Sequence, residues 1–168
     1  SYILDSNKRN AIITDPVTKD LEKYKNIFQE LDVTLIFSVE THTHADHISG
    51  SGTLNEIYGS KILSSLDKMD SRAHRIQDGE MIELDEIQIR CLHTPGHTDD
   101  SYCFILESEN PNILFSGDTL LIGGTGRSDF QNGCSSSLYE SITTKLFILD
   151  DKTLVYPGHD YNGLTLSS

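Results

Sequence analysis

The sequence is poor in cysteine and has no long apolar run. Its three cysteines, Cys91, Cys103 and Cys134, are odd in number and show no C-x-x-C spacing. This pattern argues against a disulfide scaffold, and it predicts reduced thiols in the cytoplasm of a bacterium or in a mitochondrial matrix. No apolar stretch approaches the roughly 20 residues that a membrane-spanning helix needs, so we expect a soluble protein.

Basic residues are also scarce. The chain has 13 lysines and arginines against 26 aspartates and glutamates, which gives a net charge of -13. Such a charge repels nucleic acid and anionic membranes, so neither is predicted as a partner. The sequence also lacks the G-x-G-x-x-G fingerprint of dinucleotide binding and the G-x-S-x-G motif of serine hydrolases, and we interpret the serines at 135–137 as helix caps.

The 168 residues suit a single domain, 1–168, and the strand-like first residues and abrupt last ones indicate truncation at both ends. Apolar residues at three- and four-residue spacing predict a helix over 19–31, and the apolar run 33–39 predicts a central strand. The runs 2–4 and 11–14 predict an antiparallel hairpin. Further strand patterns follow at 62–63, 81–82, 87–89 and 102–106 and at the starts of 112–121 and 152–163, with helices at 48–59, which Gly59 ends, and at 135–149. Strands with helices on both sides predict an α/β sandwich.

A cluster of metal-binding side chains follows the central strand. The segment "THTHADHISG", residues 41–50, contains His42, His44, Asp46 and His47. In an extended segment alternate residues point the same way, so the first three are expected to converge while His47 reaches a neighbouring position. Two adjacent metal positions are therefore predicted.

Three more candidates share one context, a strand end followed by glycine or proline. They are His97 in "HTPGHT", Asp118 in "FSGDTL" and His159 in "YPGHDY". Small turn residues let the backbone present a ligand at the rim of a sheet. Imidazole and carboxylate suit zinc, iron or manganese, whereas the cysteines lie outside this set, so the sequence predicts an open catalytic metal site. His74 and His93 lack this context and are excluded.

With these residues in place, the sequence resembles the metallo-β-lactamase fold superfamily, whose plan is T-H-x-H-x-D-H, then a histidine, a bridging aspartate and a last histidine at successive strand ends. This resemblance implies an αββα sandwich of two mixed sheets flanked by helices. Within the superfamily, "GGTGRSDFQNGC" and "YPGHDYNG" are similar to the persulfide dioxygenases, in which G-R-[ST]-D-F and H-D-Y are typical.

The resemblance to persulfide dioxygenases implies one iron(II) per chain, held by two histidines and one aspartate: His42, His97 and Asp118. It implies that His44, Asp46, His47 and His159 surround these ligands without binding the iron. Asp46 and Tyr161 are the candidates for orienting a ligand or a bound water. The implied reaction is oxidation of glutathione persulfide by dioxygen, in a protein that is expected to form a homodimer.

Arg127 in "GTGRSDF" has two interpretations. It can supply the cation that an anionic tripeptide needs on an acidic protein, or it can pair with Asp129 and brace the loop. We name it as the candidate substrate-binding residue.

The alternative function is a binuclear zinc hydrolase of glutathione thioesters, of glyoxalase II type, with two zinc ions per chain. His42, His44 and His97 would hold one metal, Asp46, His47 and His159 the other, and Asp118 would bridge them. All seven ligands are present. A non-catalytic metal-binding module is a third hypothesis, and the intact ligand set argues against it.

Overall fold

A computed structural model describes residues 1–65, 71–108 and 111–160 of the chain. Two compact units make it up: Ser1–Ile76 with Glu83–Ile87, and Gln77–Ile82 with Gln88–Ser168. Among the described residues, no helix has the length and apolar content to cross a bilayer.

The first sheet has five strands in the order β1-β2-β3-β4-β5. Strands β1 and β2 form the antiparallel hairpin that the sequence predicts, and the next three strands each join in parallel. The short strand β5 is absent from the sequence prediction. The five strands are β1 Tyr2–Asp5, β2 Asn10–Thr14, β3 Thr34–Val39, β4 Lys61–Ser64 and β5 Ala73–Arg75.

Two helices connect the parallel strands of the first unit. Helix α1 spans Leu21–Leu31 after a 3-10 turn. Helix α2 spans Ser51–Tyr58 and ends at the predicted Gly59, which adopts the left-handed conformation. The helices bury an apolar stripe against the sheet, in a core of Ala11, Ile13, Tyr24, Phe28, Leu35 and Leu54.

Parallel pairing of β2 and β3 brings their carboxyl ends to the same edge of the sheet. Thr14 pairs with Val39, and the amide of Asp15 donates to the carbonyl of Val39 at 2.8 Å. The residue after β2 therefore lies beside Glu40, the residue after β3. The histidine-rich segment begins at this edge.

The second sheet has the order β10-β9-β8-β7-β6, with β7, β8 and β9 antiparallel and β10 parallel to β9. Helix α3, Ser135–Ser141, continues into a π-helical turn, Ile142–Leu146, and covers the sheet with Leu138, Ile142 and Leu146. The strands are β6 Met81–Leu84, β7 Ile87–His93, β8 Tyr102–Leu106, β9 Ile113–Gly117 and β10 Leu154–Pro157.

The start of α3 corrects the sequence prediction that serines 135–137 cap the helix. Its N-cap residue is Cys134, and no side chain makes a capping hydrogen bond. The helix is held instead by the turn before His97. The amide of Cys134 donates to the carbonyl of Gly96 at 2.8 Å, and the Ser141 hydroxyl donates to the carbonyl of Pro95 at 2.8 Å.

Gly96 is required by this contact between the turn and the helix. Its φ is +148°, and a Cβ built there would lie 2.3 Å from the Cα of Leu138. We expect Gly96→Ala to lower the free energy of unfolding by about 2–4 kcal/mol, because it adds backbone strain and overlaps with the α3 backbone. Urea denaturation followed by circular dichroism measures this loss.

Gly124→Ala is the matched control for that substitution. A Cβ at Gly124 meets no atom within 4 Å, so this variant should unfold within about 0.5 kcal/mol of the wild type. Equal stabilities of the two variants would contradict the close approach of α3 to Gly96.

Candidate metal centre

The histidine-rich segment of the first unit is a compact loop whose imidazole rings lie close together at tilted angles. The ring centroid of His44 lies 4.1 Å from those of His42 and His47. The segment bends at 45–47, and Asp46 lies beside both His44 and His47. A carboxylate oxygen of Asp46 lies 3.2 Å from Nδ1 of His47, and the other lies 3.8 Å from Nδ1 of His44.

Asp15, which sequence reasoning missed, anchors this loop. It is buried directly after β2. Its carboxylate accepts hydrogen bonds from the Thr41 amide at 2.7 Å and from the Thr41 hydroxyl at 3.0 Å, and it lies 3.0 Å from His44 Nε2. Burial alone would raise the pKa of Asp15, but the hydrogen bond and charge of His44, with the Thr41 amide, lower it below its ordinary value. An acidic residue directly after a predicted strand was the available signal.

Glu40 is the second residue that sequence reasoning missed. Its Oε1 accepts the hydroxyls of Ser49 and Ser51, so it ties the start of the loop to its end. Burial and the nearby charge of Asp15 raise the pKa of Glu40 to about 7. Its Oε2 is buried without a hydrogen-bond partner among the described residues and lies 3.8 Å from His44 Nε2.

In the second unit, Asp118 follows β9 and lies between two histidines. Its Oδ2 is 3.6 Å from His97 Nε2, and its Oδ1 is 2.7 Å from His159 Nδ1. The predicted neighbourhood of these three residues is therefore present within this unit. Gly158 permits it, because a Cβ there would lie 2.6 Å from Asp118 Oδ1.

The ring of His97 is oriented as a metal ligand would be. Its Nδ1 lies 2.7 Å from the carbonyl oxygen of Arg127, which only accepts, so Nδ1 carries the proton and Nε2 the lone pair. This lone pair faces a carboxylate oxygen of Asp118 at 3.6 Å. Two electron-rich atoms at this separation are stabilised by a cation between them, so the donor set fits a metal ion.

The remaining residues weighed in the sequence are one arginine, one tyrosine and two histidines. The guanidinium of Arg127 donates to both carboxylate oxygens of Asp129, at 2.8 and 3.1 Å, and lies over the ring of Phe130. Tyr161 lies outside the described residues. His93 has its Nε2 3.1 Å from the carbonyl of Asp99, and His74 is exposed on β5, in keeping with their exclusion from the site.

A family description, the metallo-beta-lactamase superfamily, matches residues 1–159. The chain therefore belongs to the metallo-β-lactamase superfamily. This match confirms the predicted αββα class of α/β fold, as does a TM-score of 0.93 to the crystal structure of ETHE1 from Myxococcus xanthus. That structure is 40% identical in sequence, and the alignment covers 99% of this chain and 72% of that one.

The resemblance to persulfide dioxygenases is confirmed among the relatives. The mitochondrial persulfide dioxygenase ETHE1 of Bos taurus is 39% identical over 171 residues, which cover 100% of this chain. This chain spans only 66% of the length of that protein. A probable hydroxyacylglutathione hydrolase of Schizosaccharomyces pombe is 34% identical over 165 residues, covering 95% of this chain and 62% of the yeast protein.

The three thiols differ in their expected reactivity. Hydrogen bonds from Ser136 and Ser137 lower the pKa of Cys134 to about 6, whereas burial raises the pKa of Cys91 to about 12 and of Cys103 to about 11. Alkylation of the native protein by iodoacetamide should therefore occur at Cys134 alone. Its rate should rise through about pH 6 and level off about one pH unit higher, because the thiolate is the reactive form. Mass spectrometry of quenched samples measures it.

Ser136→Ala is the comparison, because it removes the hydroxyl 3.1 Å from the Cys134 sulfur and should move the rise to higher pH. A wild-type rate that still climbs between about pH 8 and 9, as for an ordinary thiol, would refute this assignment.

Proposed function

We propose that the protein is an iron(II)-dependent persulfide dioxygenase that oxidises the sulfane sulfur of glutathione persulfide with dioxygen to sulfite and glutathione. The observation that carries the proposal is the placement of the His97 Nε2 lone pair 3.6 Å from Asp118 Oδ2. Similarity to the bovine persulfide dioxygenase over the whole chain supports it.

His42, His97 and Asp118 would hold one iron(II), a set of two histidines and one carboxylate. Bound by these residues, iron(II) would supply the redox chemistry and bring a sulfur anion and dioxygen together, which would remove the entropic cost of their encounter. This assignment rests on the superfamily plan and on the donors that each unit carries.

Other residues of the chain would orient these ligands. His159 Nδ1 lies 2.7 Å from Asp118 Oδ1 and would hold that carboxylate, while the Arg127 carbonyl fixes the ring of His97. The side chain of Asp46 is 52% exposed, so it can accept a proton from a water or from the substrate. Tyr161 is retained as a predicted donor to substrate or water.

The atoms and electrons of the proposed reaction balance without an organic cofactor. Glutathione persulfide, dioxygen and water give glutathione, sulfite and two protons. Sulfane sulfur loses four electrons in reaching sulfite, and dioxygen accepts four, so no nicotinamide or flavin is needed. The lack of a dinucleotide-binding fingerprint in the sequence is consistent with this balance.

A compartment and an assembly state are part of the proposal. The three cysteines are free thiols, which supports a reducing compartment, the cytoplasm or a mitochondrial matrix. A homodimer stays a prediction.

A binuclear zinc hydrolase of glutathione thioesters is the second candidate, and a specific observation favours it. Among the described residues, His44 Nδ1 and His47 Nε2 are buried without a hydrogen-bond partner. Donor atoms of these histidines and of Asp46 all lie within 4.8 Å of one another, which suits a second cation. Similarity to the yeast hydrolase points the same way.

Metal content and oxygen uptake distinguish the two candidates. Protein expressed without added metal should contain about one iron per chain, and should consume dioxygen and release sulfite when glutathione persulfide is added. Elemental analysis, an oxygen electrode and a sulfite assay make the measurements. Two zinc ions per chain with thioester hydrolysis, or no oxygen uptake by iron-loaded full-length protein, would refute the dioxygenase.

Two histidine variants sharpen this test. His97→Ala should lose both iron and oxygen uptake, because it removes a proposed ligand. His47→Ala should keep most of the iron, because this residue lies outside the mononuclear ligand set. Equal loss of metal in both variants would contradict a mononuclear site and support the binuclear one.

Arg127 is proposed to bind the anionic part of the substrate after exchanging its partner Asp129. We expect Arg127→Ala to raise KM for glutathione persulfide about 3- to 30-fold with little change in kcat. Steady-state oxygen uptake measures both constants. Asp129→Asn is the control, since it releases the guanidinium without removing it and should leave KM unchanged or lower. A parallel rise in both variants would show that the ion pair only braces the loop.

A further inference from the structure

Two buried threonine hydroxyls join the turns of the second unit that carry His97 and Asp118. Thr94 follows β7, shortly before His97, and Thr119 directly follows Asp118. The Oγ1 atoms of the two threonines lie 3.1 Å apart, and the residues are 0% and 1% exposed. Because bulk water does not reach these hydroxyls, each depends on a partner within the protein. The contact therefore links the two turns.

A buried thiol extends this contact. The sulfur of Cys103 lies 3.2 Å from the hydroxyl oxygen of Thr94, and the thiol donates to the carbonyl of Ser116 at 3.4 Å. A thiol has one hydrogen, so its sulfur can only accept from Thr94. The hydroxyl of Thr94 has likewise one hydrogen, so its oxygen accepts from the hydroxyl of Thr119.

These bonds close a ring on the turn that carries Asp118. The ring runs from the Thr119 hydroxyl through Thr94 and Cys103 to the carbonyl of Ser116. The same carbonyl accepts the amide of Thr119 at 3.1 Å. Both ends of the segment 116–119 are therefore tied to Thr94, one directly and the other through the thiol.

The two turns are also joined at a second place. The amide of Gly126 donates to the carbonyl of Asp118 at 2.9 Å, and the carbonyl of the next residue, Arg127, lies 2.7 Å from Nδ1 of His97. Two independent links between a pair of turns restrict their separation more closely than one link does. That separation places Nε2 of His97 3.6 Å from Oδ2 of Asp118.

We propose that Thr94, Cys103 and Thr119 form a buried hydrogen-bond network that holds the two turns at the separation at which His97 and Asp118 face one cation. The three are positioning residues. The network gives a hydrogen-bonding role to a buried thiol that the proposed reaction does not use. The inference rests on the proposed function only in treating His97 and Asp118 as metal ligands.

The S–H stretching band of the metal-free protein tests the direction of the network. A donor to the sulfur polarises the S–H bond, so the Cys103 band should lie at lower frequency in the wild type than in Thr94→Val. Infrared spectroscopy measures the band, which Cys103→Ala identifies by its loss. Thr94→Ser should restore the wild-type frequency. Equal frequencies in the wild type and Thr94→Val would overturn the proposal, and Thr119→Val, which should shift the band in the same direction, decides if Thr94→Val does not fold.

Titration with Zn(II) against a competing chelator tests the positioning role without any reaction. Thr119→Val removes the hydroxyl but keeps the side-chain shape, and we expect about 3- to 10-fold weaker binding, whereas Thr119→Ser should bind like the wild type. Thr153→Val is the matched control, because Oγ1 of Thr153 is buried in the same unit without a hydrogen-bond partner among the described residues. An unchanged affinity in Thr119→Val, or an equal loss in Thr153→Val, would overturn the positioning role.

The double variant Thr94→Val/Thr119→Val separates loss of this link from independent damage at two sites. If both substitutions break the same bond, the double variant should bind Zn(II) about as weakly as the weaker single variant. Losses that multiply would overturn the proposal. Affinities as expected without oxygen uptake by the iron-loaded wild type would remove the proposed dioxygenase and leave this inference standing, and oxygen uptake with an unchanged affinity in Thr119→Val would do the reverse.

Discussion

An imidazole can bind a metal only through a nitrogen that has no proton. The orientation of the candidate ligand rings depends on this constraint. Each candidate ring therefore needs an acceptor for its other nitrogen. In the first unit Asp15 serves His44 directly and His42 through Thr41, and in the second unit the carbonyl of Arg127 serves His97. These hydrogen bonds orient the three rings through contacts within the polypeptide itself.

Burial makes these orienting contacts effective. Asp15 and Glu40 lie together at the carboxyl edge of a parallel sheet, where removal from water strengthens their hydrogen bonds. Burial favours the neutral form of Glu40, whose pKa rises to about 7, while the donors around Asp15 keep it ionised. The two neighbouring carboxyl groups thus differ in pKa, and one ties the ends of the loop while the other contacts Thr41 and His44.

In the second unit, two glycines allow the close packing that positions the candidate ligands. Gly96 lets helix α3 pack against the turn before His97, and Gly158 leaves room beside the Asp118 carboxylate. Arg127 is the side chain of this unit that we propose to bind the substrate. Its guanidinium is paired with Asp129 at the surface.

The sequence by itself determined most of the helices and strands and the placement of His97, Asp118 and His159 after strands at glycine or proline turns, because strand periodicity and glycine turns are local signals. Tertiary structure alone decided which side chains orient the rings, because Asp15 reaches Thr41 and His44 only through the register of β2 against β3. The bend at 45–47 places Asp46 beside His47 as well as His44. At the start of α3, the carbonyl of Gly96 rather than a serine side chain accepts the amide of Cys134. Hydrogen-bond partners distant in sequence leave no periodic pattern, so their choice appears only once the strands have paired.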